Sequence, residues 1–150
     1  MTTVPDTTDH RTRQVRRTLW IGFALQLAVA AVPLVDLATV DSITEHVRAA
    51  YPDWSAEDVA LDRDAITWSL TGIGVLGCVG WLVAVALAKR PSASRITVTA
   101  LFAIGLMTSL TLLSMGGEGY DLVVPLAHGL LTLLPLLAGL AAVVAVWRRR

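Results

Sequence analysis

Three glycines in the stretch TGIGVLGCVGW have the spacing of a dinucleotide-binding motif. Gly72, Gly74 and Gly77 reproduce G-x-G-x-x-G, in which the glycines let the backbone approach a pyrophosphate where a helix begins. That motif also requires a strand before the glycines and an acidic residue about 20 positions after them. Here the residues before Gly72 belong to an apolar run, and the next carboxylate along the chain is Glu118. The sequence therefore predicts no nucleotide and no other cofactor at this motif.

The same glycines suit a different purpose, which is the close packing of membrane helices. Small residues allow helix backbones to approach one another inside a bilayer. Gly80 and Ala84 extend the series of small residues along the same segment. We therefore predict a helix-packing surface formed by Gly72, Gly74, Gly77, Gly80 and Ala84.

Two ionisable residues, Asp36 and His128, lie within apolar runs, where a charged group is costly and seeks a partner. At 1.5 Å per residue, Asp36 lies about 6 Å, and His128 about 9 Å, from the outer ends of their runs. A carboxylate at that depth would favour a protonated imidazole, and such a pair could respond to external pH. The sequence predicts either this candidate intramembrane pair or two residues that reach the outer interface separately.

Chemistry that depends on clustered side chains is not predicted. Cys78 is the single cysteine, which excludes an intramolecular disulfide and a thiol pair. His128 is the single histidine within the apolar runs, which disfavours a haem held by two histidines. The carboxylates around His46 do not have the spacing of a calcium loop or another known metal site. We expect no enzyme activity, no catalytic residues, no metal and no cofactor.

The composition indicates a membrane protein. Hydrophobic residues make up 55% and charged residues 16% of the 150 residues, and the mean hydropathy is +0.64. Four apolar runs are each long enough to cross a bilayer as a helix, which needs about 20 residues. Helices are expected because the backbone must satisfy its own hydrogen bonds in lipid. We predict an all-α membrane protein with four transmembrane helices, at residues 18–40, 65–88, 96–115 and 122–147.

The basic residues indicate the orientation of these spans. Ten of the twelve fall on one side of a four-span arrangement, whereas Arg48 and Arg63 fall on the other side among many carboxylates. By the positive-inside rule, both termini are cytoplasmic and the loop 41–64 is external. We expect residues 1–17 to be a disordered basic cytoplasmic tail and residues 148–150 to be a basic cytoplasmic end. The ten are Arg11, Arg13, Arg16, Arg17, Lys89, Arg90, Arg95, Arg148, Arg149 and Arg150.

The external loop is predicted to contain a short amphipathic helix. Ser42 to Glu45 reads SITE, the pattern of a capping box at a helix start. Apolar residues then recur at helical spacing, and Pro52 stops the helix. Ser55 to Asp58 reads SAED, which predicts a second helix that continues into the second span.

The order of these segments resembles uncharacterised actinobacterial four-span integral membrane proteins. The resemblance rests on YPDWSAEDV, from Tyr51 to Val59, between the first two spans, and on the Trp-Arg-Arg sequence from Trp147 to Arg149. It covers most of the chain and implies no known function and no site residues.

These observations predict a non-catalytic multi-pass protein of a bacterial inner membrane, with an interaction or envelope-associated role. Its expected partners are the lipid bilayer, other membrane proteins or further copies of itself, and no nucleic acid. The alternative is a small proton-linked transporter or ion-conducting oligomer that uses Asp36 and His128.

Overall fold

A computed structural model of the chain describes residues 7–148, with side chains from Thr12 onward, and these residues contain helices and loops but no strand. The predicted all-α class is therefore confirmed. The elements, in chain order, are α1 (Thr7–Ala38), α2 (Ser42–Ala50), α3 (Ala56–Leu87), α4 (Pro91–Ser114), α5 (Leu126–Leu131) and α6 (Leu133–Trp147).

Four helical stretches in the described chain are long and apolar enough to cross a membrane: Thr12–Ala38, Ala56–Leu87, Pro91–Ser114 and Leu126–Trp147. The last stretch combines α5 and α6. Large apolar side chains cover the outward faces of these helices; Leu76 is 72% exposed and Leu137 is 67% exposed. An apolar exterior of this extent suits contact with lipid, because soluble monomers rarely expose large contiguous apolar patches.

The first helix begins earlier than the sequence predicts. Residues 7–17, expected to be part of a disordered tail, belong to α1. The physical reason is that Val15 and Leu19, which are 1% and 0% exposed, bury one face of this segment against the other helices. Arginine is also a good helix former and extends a helix already nucleated by the apolar run. Residues 1–6 of the predicted tail, and residues 149 and 150 of the basic end, lie outside the described residues.

The helix predicted from SAED is present and continues into the second span. The third helix begins at Ala56, nine residues before the predicted span, and continues without a break to Leu87. Ser55 caps this helix by accepting a hydrogen bond from the Asp58 N–H at 3.2 Å, which confirms the predicted start. The fourth helix likewise begins at Pro91 rather than at residue 96, because proline suits the first position of a helix.

The amphipathic helix α2 is present, but its predicted capping box is wrong. Asp41, not Ser42, is the N-cap residue, and it has a left-handed φ of 54° and no side-chain cap hydrogen bond. Ser42 is the first helical residue, and its hydroxyl donates to the Asp36 carboxylate instead. The apolar face of α2, with Ile43 and Val47 at 1% and 0% exposure, packs mainly against α3.

Two apolar clusters close the opposite ends of the bundle. The basic-end cluster joins the start of α1, the end of α3, the start of α4 and the end of α6; it contains Val15, Leu19, Ala84, Ala88, Val98, Ala142 and Val146. The acidic-end cluster joins α2 to α3, α4 and the loop before α5; it contains Ile43, Val47, Val59, Ile66, Leu70, Leu112 and Val124. The predicted basic segments therefore meet at one end of the molecule.

The glycines of α3 contact two different helices. Gly74 lies directly against Ala30 of α1, and Gly77 lies against the side chain of Gln26 in α1. Gly80 instead faces Leu101 of α4. Ala84, at 2% exposure, belongs to the basic-end cluster.

Gly72 does not belong to the predicted packing surface. A Cβ added at Gly72 would meet nothing within 4 Å. The physical reason is that residues two apart on a helix point in nearly opposite directions, so Gly72 faces away when Gly74 faces α1.

Gly74→Ala should destabilise the bundle, whereas Gly72→Ala should not. A Cβ at Gly74 would lie 2.5 Å from the Ala30 Cβ and 2.8 Å from the Ala30 Cα, so α1 and α3 would have to separate. We expect a loss of about 1–3 kcal/mol for Gly74→Ala, the usual cost of overpacking. Gly72→Ala should be neutral or stabilising by up to about 1 kcal/mol, because alanine favours the helix. Thermal unfolding of both variants in detergent measures the difference, and equal losses would contradict the proposed α1–α3 contact.

Candidate functional site

The candidate site is a cavity of about 320 Å³ in the centre of the bundle. It lies between α1, α3 and α4 on one side and the α5–α6 segment on the other, and most of its wall is apolar. The polar side chains that line it are Gln26, Thr108, Ser109, His128 and Thr132.

His128 is the one ionisable side chain in the cavity wall. It is 7% exposed, and neither Nδ1 nor Nε2 has a hydrogen-bond partner within residues 7–148. Buried polar groups normally have a hydrogen-bond partner, because leaving one without a partner costs free energy. The imidazole thus offers hydrogen-bonding capacity that the described protein groups do not use.

A break in the fourth apolar stretch forms the cavity wall beside His128. The helix is interrupted at Thr132, whose N–H donates to the Gly129 carbonyl at 3.2 Å, one residue closer than in an α-helix. Pro135 follows three residues later and has no N–H to offer the Leu131 carbonyl. The Thr132 carbonyl, at the break itself, accepts a hydrogen bond from Ser109 Oγ of α4 at 3.4 Å. A neighbouring helix therefore makes a side-chain hydrogen bond to the backbone at the break.

Gln26 lines the cavity on the α1 side and ties α1 to α3. Its Nε2 donates to the Gly74 carbonyl at 3.3 Å, and its amide packs against Gly77. The glycines give the amide access to the α3 backbone, since a side chain at Gly77 would occupy the same space. The polar group of Gln26 is thus engaged in holding two helices together.

The carboxylate of Asp36 holds the start of α2. Its Oδ1 accepts from Ser42 Oγ at 2.8 Å, and its Oδ2 accepts from the Ile43 N–H at 3.3 Å. Its backbone carbonyl also accepts from the Asp41 N–H at 2.7 Å, which closes the turn between α1 and α2. Asp36 therefore supplies the cap that Asp41, the N-cap residue, does not provide.

The structure does not join Asp36 and His128 in a direct contact. No hydrogen bond or ion pair links them in the described chain. The reason is that Ser42 and Ile43 already occupy the carboxylate, while His128 faces the cavity. A pair bridged by a further molecule stays a prediction.

A polar and aromatic cap covers the acidic end of the bundle. His46 of α2 lies 2.8 Å from the Leu122 carbonyl, and its ring stacks on Tyr120 at 5.2 Å. Tyr120 donates to Asp62 Oδ2 of α3, and burial together with this bond raises the pKa of Tyr120. Tyr51 accepts from the Gly119 N–H at 3.1 Å. These bonds fix the loop after α4 on top of α2 and α3.

Sequence reasoning missed this cap, because no local pattern links its members. The bonded residues are separated by 58 to 76 positions along the chain. The available signal was the presence of aromatic residues in the acidic segments, since tyrosine combines an apolar ring with a hydrogen-bonding hydroxyl.

The described residues contain no group of three or more His, Cys, Asp or Glu side chains that could hold a metal ion. Comparisons of the chain with protein-family models, with curated proteins and with solved structures found no match. The resemblance to actinobacterial membrane proteins stays a prediction.

Asp36 and His128 should affect stability independently. Asp36→Ala removes two hydrogen bonds to a carboxylate and should cost about 1–3 kcal/mol. Combined with His128→Gln, the losses should add to within about 0.5 kcal/mol, as they do for residues without a shared contact. Thermal unfolding of the two single variants and the double variant in detergent measures the coupling. Ser42→Ala is the control and should cost less, because it removes one of the two bonds. A larger coupling would show that Asp36 and His128 do interact.

Proposed function

We propose that this chain is a non-catalytic, multi-pass protein of a bacterial inner membrane, with both termini in the cytoplasm, and that it acts by binding other molecules. The observation that carries the proposal is the charge difference between the two ends of a bundle whose exterior is apolar. Four membrane-length helices join these ends.

The basic end contains positive charges from three separate segments. Arg16 and Arg17 lie near the start of α1, Lys89 and Arg90 lie between α3 and α4, and Arg148 follows α6. Arg95 of α4 also donates to the Val146 carbonyl at 3.2 Å, which ties α4 to the end of α6. Excess positive charge marks the cytoplasmic side of membrane proteins, so this end is assigned to the cytoplasm.

The acidic end is assigned to the outside. Its segments between α1 and α3 and between α4 and α5 are rich in carboxylates and contain Arg48 but no lysine, and Arg63 follows in the first turns of α3. Both of these arginines lie beside carboxylates: Arg48 is 3.5 Å from Glu45, and Arg63 is 2.8 Å from Asp64. The cap of α2 and the following loop form the outer surface in this arrangement.

The hydrogen bonds of the side chains that line the cavity support a binding role rather than catalysis. Gln26 and Ser109 donate to backbone carbonyls of other elements, and Thr132 donates to the Gly129 carbonyl. His128 has no neighbouring hydroxyl, thiol or carboxylate within hydrogen-bonding distance in the described chain. General acid–base and nucleophilic catalysis both need such a positioned neighbour.

Cysteine labelling from outside the cell tests the orientation. In a Cys78→Ala background, Glu57→Cys should react with a membrane-impermeant maleimide, and Ser92→Cys should react only after the membrane is opened. Both native side chains are exposed, so protein burial does not protect either position, whereas Cys78 is buried. The opposite labelling pattern would reverse the proposed orientation.

A proton-linked transporter is the second candidate, favoured by the buried His128 beside a broken helix, a feature of transporter sites. Liposomes that contain the purified protein and an internal pH-sensitive dye distinguish the two. Under an imposed pH gradient and membrane potential, we expect no proton flux above that of protein-free liposomes. A proton flux that the unaltered protein supports and His128→Gln abolishes would contradict the binding role and support transport.

A further inference from the structure

We infer that the central cavity binds a neutral, lipid-soluble molecule carrying a hydroxyl or carbonyl oxygen, and that this molecule enters sideways from the lipid between α3 and α4. The inference rests on the proposed membrane location and deepens the proposed binding role. It follows from the opening of the cavity, from the charge of its wall and from the unused hydrogen-bonding capacity of His128.

A groove on the surface of the bundle adjoins the cavity. It has a volume of about 710 Å³ and is lined by α3, by α4 and by the loop before α5. The groove and the cavity share five lining residues, so the two spaces adjoin along a common wall. These residues are Leu70, Ile73, Ile104, Thr108 and Leu112.

The groove opens where the bundle packs least tightly. The α3–α4 contact is less extensive than the contacts of α1 with α3 and of α4 with α6. Ile104 and Met107 line the groove and are 62% and 65% exposed, so they face the surroundings of the bundle. In a membrane these surroundings are acyl chains, and the groove is therefore open to molecules dissolved in lipid.

The ends of the bundle offer less direct access. The basic-end cluster closes one end, and the acidic-end cluster closes the other beneath the cap of His46, Tyr51 and Tyr120. A molecule arriving from either aqueous side would have to displace one of these packed layers. From the lateral groove, a molecule has to pass only the side chains of the shared wall, of which Ile104 is 62% exposed.

The wall of the cavity selects a neutral molecule. No Asp, Glu, Lys or Arg side chain lines it. An ion without a counter-charge would be strongly disfavoured in such surroundings. A neutral imidazole, by contrast, carries one hydrogen-bond donor and one acceptor, and a hydroxyl can bond to either of them. A carbonyl oxygen can accept from the donor nitrogen.

Water alone does not suit this space. A buried water needs a space of about 10–15 Å³ and two to four polar partners. The cavity provides many times that volume with few free polar groups. The volume instead falls at the lower end of small-molecule sites, which span about 300–1,000 Å³. An apolar body with a single oxygen placed against His128 would satisfy both the volume and the polar group.

A photoreactive long-chain alcohol tests the site in the intact protein. The full chain in lipid nanodiscs is exposed to dodecanol that carries a diazirine in its chain, and the labelled residues are mapped by mass spectrometry. We expect labels on α3 and α4 around the cavity and the groove. Unlabelled dodecanol should compete about threefold to tenfold better than dodecane, the advantage that one hydrogen bond provides. Equal competition by the two compounds would overturn the role of the oxygen.

Three variants separate the parts of the inference. His128→Phe keeps an aromatic ring but should remove the preference for the alcohol over the alkane. Ile104→Trp should reduce labelling inside the cavity by narrowing the groove. Leu110→Trp is its matched control, because Leu110 lies on α4, is 50% exposed and lines neither space.

The outcomes distinguish this inference from the proposed function. Unchanged cavity labelling in Ile104→Trp would overturn lateral entry. A preference for the alcohol that survives in His128→Phe would overturn the role of His128. If His128→Phe fails to fold, the competition of dodecanol against dodecane in the unaltered protein still decides the ligand chemistry. Failure of the membrane orientation or of the binding role is detected separately, by cysteine labelling and by proton flux.

Discussion

The close approach of α1 to α3 sets the arrangement of the bundle. Gly74 admits Ala30, Gly77 admits Gln26, and Gly22 lies beneath the ring of Trp81, so small residues on both helices take part. Helices in lipid gain no hydrophobic energy from packing against each other, and close van der Waals contact becomes the main source of association. A tight α1–α3 pair, together with an α1–α6 contact and an α4–α6 contact, leaves α3 and α4 loosely joined. The lateral groove and the cavity behind it follow from this unequal packing.

Polar groups within the bundle differ in how they are used. Gln26 links α1 to α3, Ser109 bonds to the backbone at the break before α6, and Asp36 secures the start of α2. Several buried hydroxyls have no partner in the described chain, but they do not line the cavity; they belong to Thr67, Thr71 and Ser94. His128 differs, because both ring nitrogens lack a partner within residues 7–148 and the ring does line the cavity. A group that the fold does not use is the better candidate for a ligand contact, since buried polar groups are normally satisfied. His128 alone, rather than the pair of Asp36 and His128, is therefore the candidate ligand contact.

The acidic end shows how short segments become ordered outside the apolar core. Helix α2 has nine residues, too few for stability in water by itself. It is held by the Asp36 carboxylate at its start, by Ile43 and Val47 packed against α3, and by His46 bonded to the loop that precedes α5. The resulting cap ties three segments together and covers the acidic end of the bundle.

The sequence by itself determined the properties that depend on composition and on neighbouring residues. Four apolar runs of sufficient length were visible in the chain, because the number of residues needed to cross a bilayer is fixed by the rise of a helix. The start of α3 at Ser55 was also visible, because a capping hydroxyl and the N–H that it accepts lie three residues apart. The sequence did not locate the ends of all helices. Helix α1 extends back to Thr7 because Val15 and Leu19 pack against residues far away in the chain.

Only the tertiary structure decided which face of each helix meets which neighbour. Gly72 and Gly74 look equivalent in the sequence, but one faces open space and the other touches Ala30. The sequence places Asp36 and His128 at similar distances from the ends of their spans, but in the structure one is bonded to α2 and the other faces the cavity. The physical reason is that hydropathy fixes where a helix crosses, whereas its rotation about its own axis depends on close contacts between residues far apart in the chain. The cavity, its unused imidazole and its opening between α3 and α4 all arise from those rotations.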